Sequence, residues 1–211
     1  MTAKRLSALA LPAFPLALLA GTLVTPTDST ENADQLAAAA AHGAAWSGAA
    51  ACELLAAALI PFAVVAVARA VHGRGARLAT AGVVLGFLGT LGMTSIALRH
   101  AFVYGLATAD RATAVHALDR VDDVFGPPVL LLMICAPVAW VMLAAAAARA
   151  GIASRLVPVG AFAFLVVDML PLPGAEELQG IVGIATFGAL AWSLVRVGEP
   201  SRRTVFPATA T

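Results

Sequence analysis

The stretch FGPPVLLLMICAPVAWVMLAAAAA, residues 125–148, has no charged side chain but is bounded by charges. Asp122 and Asp123 precede it, and Arg149 follows it. A helix needs about 20 apolar residues to cross the hydrocarbon core of a bilayer, and this stretch is long enough. Because basic residues collect on the cytoplasmic side, Arg149 marks the inner end. The stretch therefore predicts a transmembrane helix and also its direction.

The composition of the whole chain agrees with a membrane protein. Hydrophobic residues make up 61% of the 211 residues, charged residues make up 12%, and the mean hydropathy is +0.91. Soluble domains carry charge at about a quarter of their positions, so most of this surface is expected to face lipid. The net charge of +1 does not indicate nucleic acid binding, and the lipid bilayer is the predicted partner.

Five further segments resemble the first in length and apolarity, which predicts an all-α bundle of six spans in one domain, residues 1–211. Membrane-spanning helices satisfy their backbone hydrogen bonds internally, so this class needs no other element. The predicted spans are Leu6–Val24, Trp46–Ala70, Leu78–Leu98, Phe125–Ala148, Leu156–Leu172 and Leu178–Val195.

The basic residues fix the predicted orientation, with both termini in the cytoplasm. Most of the 13 Lys and Arg residues fall on one side: Lys4, Arg5, Arg69, Arg74, Arg77, Arg149, Arg155, Arg196, Arg202 and Arg203. Only Arg99, Arg111 and Arg120 fall outside. The preference for Ala and Arg is typical of a high-GC bacterium, which predicts a multi-pass protein of the bacterial plasma membrane.

The first segment fits two interpretations. Lys4 and Arg5 followed by an apolar run also describe a secretory signal peptide. The run is longer than a usual signal core, and no clear small-residue cleavage site precedes Thr25. We expect a retained helix, kinked at Pro12 and Pro15.

The third predicted span carries a stripe of small residues at four-residue spacing: Gly82, Gly86, Thr90 and Thr94. Such stripes let helix backbones approach closely in lipid. The stripe predicts packing within the chain. A homodimer through Gly82 and Gly86 is the alternative.

Two carboxylates lie inside predicted spans, where a charge is costly and usually has a role or a partner. Glu53 lies seven residues after Trp46, about 10 Å from the outer interface. Asp168 precedes Pro171 in a helix that runs outward. The two are therefore predicted at similar depth, on the floor of an outward-facing pocket. Neighbouring headgroups or donors would explain them equally well.

Arg99 and His100, at the outer end of the third span, are the predicted cationic neighbours of these carboxylates. Either Arg99 neutralises a carboxylate in a structural pair, or it takes part in ligand binding. We therefore regard Arg99 and His100 as candidate ligand-binding residues.

The loop between the third and fourth spans predicts a short amphipathic helix on the outer surface, starting at Arg111 and capped by Asp110. Its apolar positions recur at helical spacing, and we expect it to cover the pocket. On its polar face, His116 and Asp123 are candidate ligand-binding residues. With Asp119 they have a spacing that a divalent metal can use, but Arg120 among them opposes this, so no metal site is predicted.

No other motif indicates a cofactor. The histidines are not placed to face each other across the bilayer as haem ligands would be. The sequence has no phosphate-binding loop and no His-Glu-x-x-His motif. We therefore predict no cofactor, and an ATP-driven pump or a conventional hydrolase is disfavoured.

The basic turn Arg149–Arg155, followed by Pro158 and Gly160, resembles that of actinobacterial multi-pass membrane proteins with no assigned activity. The resemblance extends over Leu78–Val195 and implies a membrane bundle without naming a reaction. In size and in its carboxylates on separate helices, the chain also resembles membrane-bound terpene cyclases. Glu53, in the run Ala50–Leu55, lacks the Trp-Glu pairing that we associate with that family.

Three functions stay open from the sequence. The first is the binding of a small or lipid-like ligand, or of a partner, in the outward-facing pocket. The second is an intramembrane enzyme acting on an isoprenoid or lipid, in which Glu53 and Asp168 serve as acid and base. The third is a small proton-coupled transporter.

Overall fold

In a computed structural model, the described part of the chain, residues 3–27, 29–168 and 174–197, forms seven α-helices and no β-strand. Side chains are described for residues 7–27, 29–167 and 174–196. The helices are α1 (Ala3–Val24), α2 (Asn32–Ala41), α3 (Gly43–Ala70), α4 (Ala76–Leu106), α5 (Arg111–Arg149), α6 (Leu156–Asp168) and α7 (Ala175–Val197).

Five helices, α1, α3, α4, α5 and α7, are long and apolar enough to cross a membrane. This confirms the predicted helical, membrane-spanning class. The fifth predicted span, Leu156–Leu172, is helical over Leu156–Asp168. These 13 residues cover about 20 Å, against roughly 30 Å of hydrocarbon. The rest of that predicted span lies outside the described residues.

Large apolar side chains point away from the bundle along its long helices. Leu16 of α1, Phe62 of α3, Leu91 of α4 and Leu131 of α5 are all more than half exposed. In water, this would be a large unprotected apolar surface, whereas lipid covers it without penalty. The arrangement indicates a multi-pass membrane protein.

The two ends of the bundle differ in chemistry. At one end, α1 and α4 finish and α3, α5 and α7 begin; Trp46 of α3 there contacts His100 of α4, and Thr22 of α1 contacts Glu176 of α7. We call this the polar end. At the other end, which we call the basic end, Gly75 lies against Ala146 of α5.

The small-residue stripe of α4 packs against the protein's own helices. A Cβ atom at Gly82 would lie 2.8 Å from Cγ of Leu143 in α5, and one at Gly86 would lie 2.7 Å from Cγ2 of Val64 in α3. Both glycines are buried. Helices α3 and α5 therefore occupy the stripe at Gly82 and Gly86, as the packing interpretation predicts, and the homodimer stays an untested alternative.

Gly89, which lies beside the stripe on α4, tolerates a side chain poorly, because its added Cβ would lie 2.6 Å from Cα of Ala136. Backbone cannot move aside as a flexible side chain can. We expect Gly89→Ala to destabilise the protein by about 2 kcal/mol, within the range of overpacked cores, and to lower its melting temperature in lipid nanodiscs. Gly105→Ala, also on α4, meets nothing within 4 Å and is the matched control. Equal melting temperatures for the two variants would contradict the close packing of α4 on α5.

The predicted surface helix between the third and fourth spans is wrong as a separate element. Residues 111–149 form one continuous helix, α5. Asp110 caps it as predicted, since its carboxylate accepts from the Thr113 backbone N–H at 3.0 Å. The hydrogen bonds from Thr113 hold the pKa of Asp110 below its usual range. The polar first turns of α5 continue the axis of the spanning helix, and we call this arrangement upright. It is stabilised by their carboxylates, which bond to α2 and α4 rather than to solvent alone.

Helix α2, within the predicted outer loop, was not foreseen. It packs at the polar end, where Leu36 and Ala39 join a small core with Trp46, Val103 and Leu118. Its sequence is Ala-rich and Leu36 is its one large apolar side chain, which anchors the helix at this end. It lies beside the upright turns of α5 and takes the position at the bundle mouth that we predicted for the surface helix.

The main core is an aromatic cluster that ties α1 to the other helices. Phe14 of α1 stacks on Trp140 of α5, with ring centroids 4.7 Å apart and planes 10° apart. Phe187 of α7 and Phe164 of α6 contact the same Phe14 ring. All four side chains are buried, so α1 is packed into the centre of the bundle.

Candidate functional site

A cavity of about 550 Å³ runs from the polar end into the bundle. Its deep part is formed by Phe14, Ile60, Trp140 and Phe164, which belong to four different helices. Its other end is lined by polar residues: Thr22, Gln35, Glu53, His100, Glu176 and Gln179. Among the described residues the floor is therefore aromatic, and Glu53 lies on the wall, about two helical turns nearer the polar end than Ile60.

Glu53 and His100 form a close pair on the cavity wall. Oε2 of Glu53 lies 2.7 Å from Nδ1 of His100. The side chains are only 17% and 19% exposed, so the pair is largely removed from water while still lining the cavity. An ionised carboxylate only accepts hydrogen bonds, so Nδ1 is the donor when Glu53 is ionised.

Trp46 holds the helices that carry this pair. It lies two turns before Glu53 on α3, and its indole N–H donates to the carbonyl oxygen of His100 at 2.9 Å. The indole and imidazole rings meet edge to face, with centroids 5.3 Å apart. Because Trp46 is buried, this bond fixes the register of α3 against α4 and the orientation of the imidazole.

Arg99 is the centre of a second polar cluster, which joins three helices. Its guanidinium forms a forked pair with Asp122 of α5, at 2.7 and 2.9 Å. It also donates to Gln35 at 2.8 Å and to Asn32 at 2.6 Å, both on α2. The Asn32 amide in turn donates to Asp119 and Asp122. Such forked, charge-assisted bonds are the strong class of hydrogen bond, so this cluster attaches α2 to the bundle.

Gln35 connects the Arg99 cluster to the cavity, since it bonds to Arg99 and also lines the cavity. Its amide also donates to the carbonyl oxygen of Ser29, another lining residue. The Arg99 cluster thus holds part of the cavity wall without entering the cavity itself.

The predicted site residues fall into three groups. Glu53 and His100 are brought together on the cavity wall. Arg99 pairs with Asp122 rather than with Glu53, so its charge is matched outside the cavity. His116 and Asp123 lie on α5 and do not line the cavity, because the upright helix turns them away from it.

Asp168 falls outside the described side chains. Its backbone closes α6, and its neighbour Val167 lines the cavity. A shared site of Glu53 and Asp168 therefore stays a prediction.

Sequence reasoning missed Asn32 and Gln35 altogether, and it gave Trp46 and Asp122 no role in positioning the site. The available signal was the pair Asn32 and Gln35, which lie on one helical face at i and i+3 in an Ala-rich segment. Among the side chains that the structure describes, no three His, Cys, Asp or Glu residues are grouped closely enough to hold a metal ion.

Comparison with protein-family models, with curated proteins and with solved structures found no match to this chain. The class that fold and site define is a multi-pass helical membrane protein with a cavity at its polar end. The cavity is therefore the feature from which a function follows.

Proposed function

We propose that this is a six-span protein of the bacterial plasma membrane, with both termini cytoplasmic, that binds an amphipathic small molecule in the cavity at its outward-facing polar end. The observation that carries the proposal is the combination of an aromatic floor with the Glu53–His100 pair in one cavity of about 550 Å³. Ligand sites in proteins have this size, and they combine an apolar lining with a few polar groups.

The distribution of basic residues supports the orientation. The basic end carries Arg69, Arg74, Arg77, Arg149, Arg155 and Arg196 among the described residues. An excess of Lys and Arg marks cytoplasmic loops. The polar end, with the cavity, then faces outward.

The positions of the neighbouring helices support a sixth crossing. Helix α5 finishes at the basic end, whereas α7 begins at the polar end, where Glu176 accepts a hydrogen bond from Thr22 at 3.3 Å. The segment between them therefore runs from one end of the bundle to the other. Helix α6 supplies the first part of that path.

The cavity lining supports an amphipathic ligand in particular. An apolar tail can pack against Phe14, Ile60 and Trp140 without any hydrogen bond. At the other end, Glu53 and His100 are mostly shielded from water, and a polar headgroup can form hydrogen bonds with them. A ligand with one polar and one apolar end satisfies both parts.

An intramembrane enzyme acting on a lipid or isoprenoid is the second candidate function. The observation that favours it is the 2.7 Å contact of Glu53 with His100, because a carboxylate that orients an imidazole is an arrangement used in general base catalysis. Turnover of a lipid-extract substrate that is lost in both Glu53→Gln and His100→Asn would identify an enzyme.

Filling the cavity tests the binding proposal. Ile96 of α4 lines the cavity, and Ile96→Trp is expected to occupy its volume without changing any charge. In native mass spectrometry from native-membrane nanodiscs, we expect a co-purifying mass on the wild type and its loss in Ile96→Trp. Leu98→Trp, two residues along on the exposed face, is the matched control and should keep that mass. A mass retained by Ile96→Trp, or a wild type without any adduct, contradicts the proposal.

A further inference from the structure

We propose that the ligand is a cation, an amphipathic amine whose positive headgroup sits between Glu53 and Glu176. This inference rests on the proposed function and adds the chemical class of the ligand. Three features favour such a ligand: the charges that line the cavity, their positions around α1 and the aromatic floor beyond them.

The ionisable side chains that line the cavity are mostly acidic. Among the described residues that line the cavity, the ionisable side chains are Glu53, Glu176 and His100, and neither Lys nor Arg occurs. The guanidinium of Arg99, which neighbours His100 in the chain, is already matched by its forked pair with Asp122. The described part of the lining therefore offers two carboxylates and one group that can become positive.

The two carboxylates come from different walls and meet α1 at consecutive residues. Cγ of Glu53, on α3, lies 3.8 Å from the position that a Cβ atom would take at Gly21. Oε2 of Glu176, on α7, lies 3.3 Å from Oγ1 of Thr22. The two carboxylates therefore lie at the same level along α1, and both line the cavity into which the headgroup would enter.

The pair of Glu53 with His100 is compatible with a cationic guest. When His100 is neutral, Glu53 carries a negative charge that an ammonium group matches directly. When His100 is protonated, an arriving cation takes the place of the imidazolium beside Glu53, and the imidazole releases its proton to solvent. In a wall shielded from water, opposite charges attract more strongly than they do at a wet surface.

An anionic headgroup has no comparable site among the described residues of this cavity. It would lie beside two carboxylates, with His100 as its sole cationic partner on the described wall, and like charges in such a place repel. A neutral alcohol gains hydrogen bonds but no charge attraction. The lining thus predicts the order cation, then neutral, then anion, for ligands that share one apolar tail.

Three probes with the same alkyl chain test this order: decyltrimethylammonium, decanol and decyl sulfate. Each is titrated calorimetrically into the full-length protein in phosphatidylcholine nanodiscs, with empty nanodiscs subtracted. We expect the cation to bind at least about tenfold more tightly than decanol, and decyl sulfate to bind most weakly. Any other order in the wild type overturns the inference by itself, so that outcome does not depend on whether a variant folds.

Substitutions then locate the headgroup. Glu53→Gln is expected to remove most of the preference for the cation over decanol. Glu176→Gln, at the rim, is expected to lower that preference about threefold. Glu177→Gln removes the same charge one residue away from Glu176 but outside the lining, so it should leave the preference unchanged.

The outcomes separate the two proposals. Equal binding of the cation and decanol, blocked by Ile96→Trp, overturns the cationic inference and leaves the binding function standing. A preference for the cation that survives both Glu53→Gln and Glu176→Gln also overturns it. Binding of none of the probes above the empty nanodiscs, together with no adduct on the wild type, overturns the binding function itself.

Discussion

Replacing Phe14 by alanine is expected to loosen α1 from the bundle and to cause a large loss of stability. Phe14 is 1% exposed, stacks on Trp140 at 4.7 Å and contacts Phe187 at 5.1 Å. In soluble proteins, truncating a buried Phe to Ala destabilises by about 3–5 kcal/mol, part of which is transfer from water. In lipid that part is small, whereas the lost contacts and the cavity remain, so we expect about 2–3 kcal/mol.

The measurement is thermal unfolding in nanodiscs, compared with Leu16→Ala. Leu16 lies on the same helix but is 56% exposed, on the face that we assign to lipid. A large drop in melting temperature for Phe14→Ala and a small one for Leu16→Ala are expected. The reverse order would show that α1 meets the bundle through a different face.

Replacing Arg99 by glutamine is expected to release α2 from the polar end. The substitution removes the forked pair with Asp122 and the bonds to Asn32 and Gln35 together. Truncating one member of a buried, hydrogen-bonded charge pair costs about 3–5 kcal/mol. The side chains of Arg99 and Asp122 are 23% and 37% exposed, so water weakens the effect. We therefore expect a loss of about 2 kcal/mol.

Release of α2 can be followed by limited proteolysis. Glu31 precedes α2, and a glutamate-specific protease should cut there faster in Arg99→Gln than in the wild type. Arg120→Gln, which removes an exposed positive charge from α5, is the control and should be cut at the wild-type rate. Equal cutting of all three proteins would mean that the small apolar core under α2, and not Arg99, holds the helix.

The helices were largely predictable because hydropathy and length are sums over consecutive residues. Five of the predicted spans correspond to long apolar helices, and the cap at Asp110 followed from local chemistry alone. The continuous helix α5 was not predictable in this way. Its polar first turns suggest a surface helix, and only their bonds to α2 and α4 make them an upright extension of a span.

The candidate site was predicted in part. The cost of a charge inside a span singled out Glu53, and sequence position put His100 at the same end. The sequence did not predict which side chains would pair. Arg99 was an equally good neighbour for Glu53 by sequence, yet it pairs with Asp122, and the aromatic floor gave no signal distinct from ordinary core residues.

The sequence by itself determined the class of this protein: an apolar, helical chain whose basic residues collect at one end. Only the tertiary structure decided which polar groups meet. Arg99 and His100 are consecutive, so they point about 100° apart around α4 and face different neighbours. Which neighbour each one meets depends on the rotation of α4, and that rotation is set by buried glycines such as Gly82 and Gly86 pressing against α5 and α3. The rotation of α4 about its axis cannot be predicted from hydropathy and charge along the chain, because it depends on how the surfaces of neighbouring helices fit together.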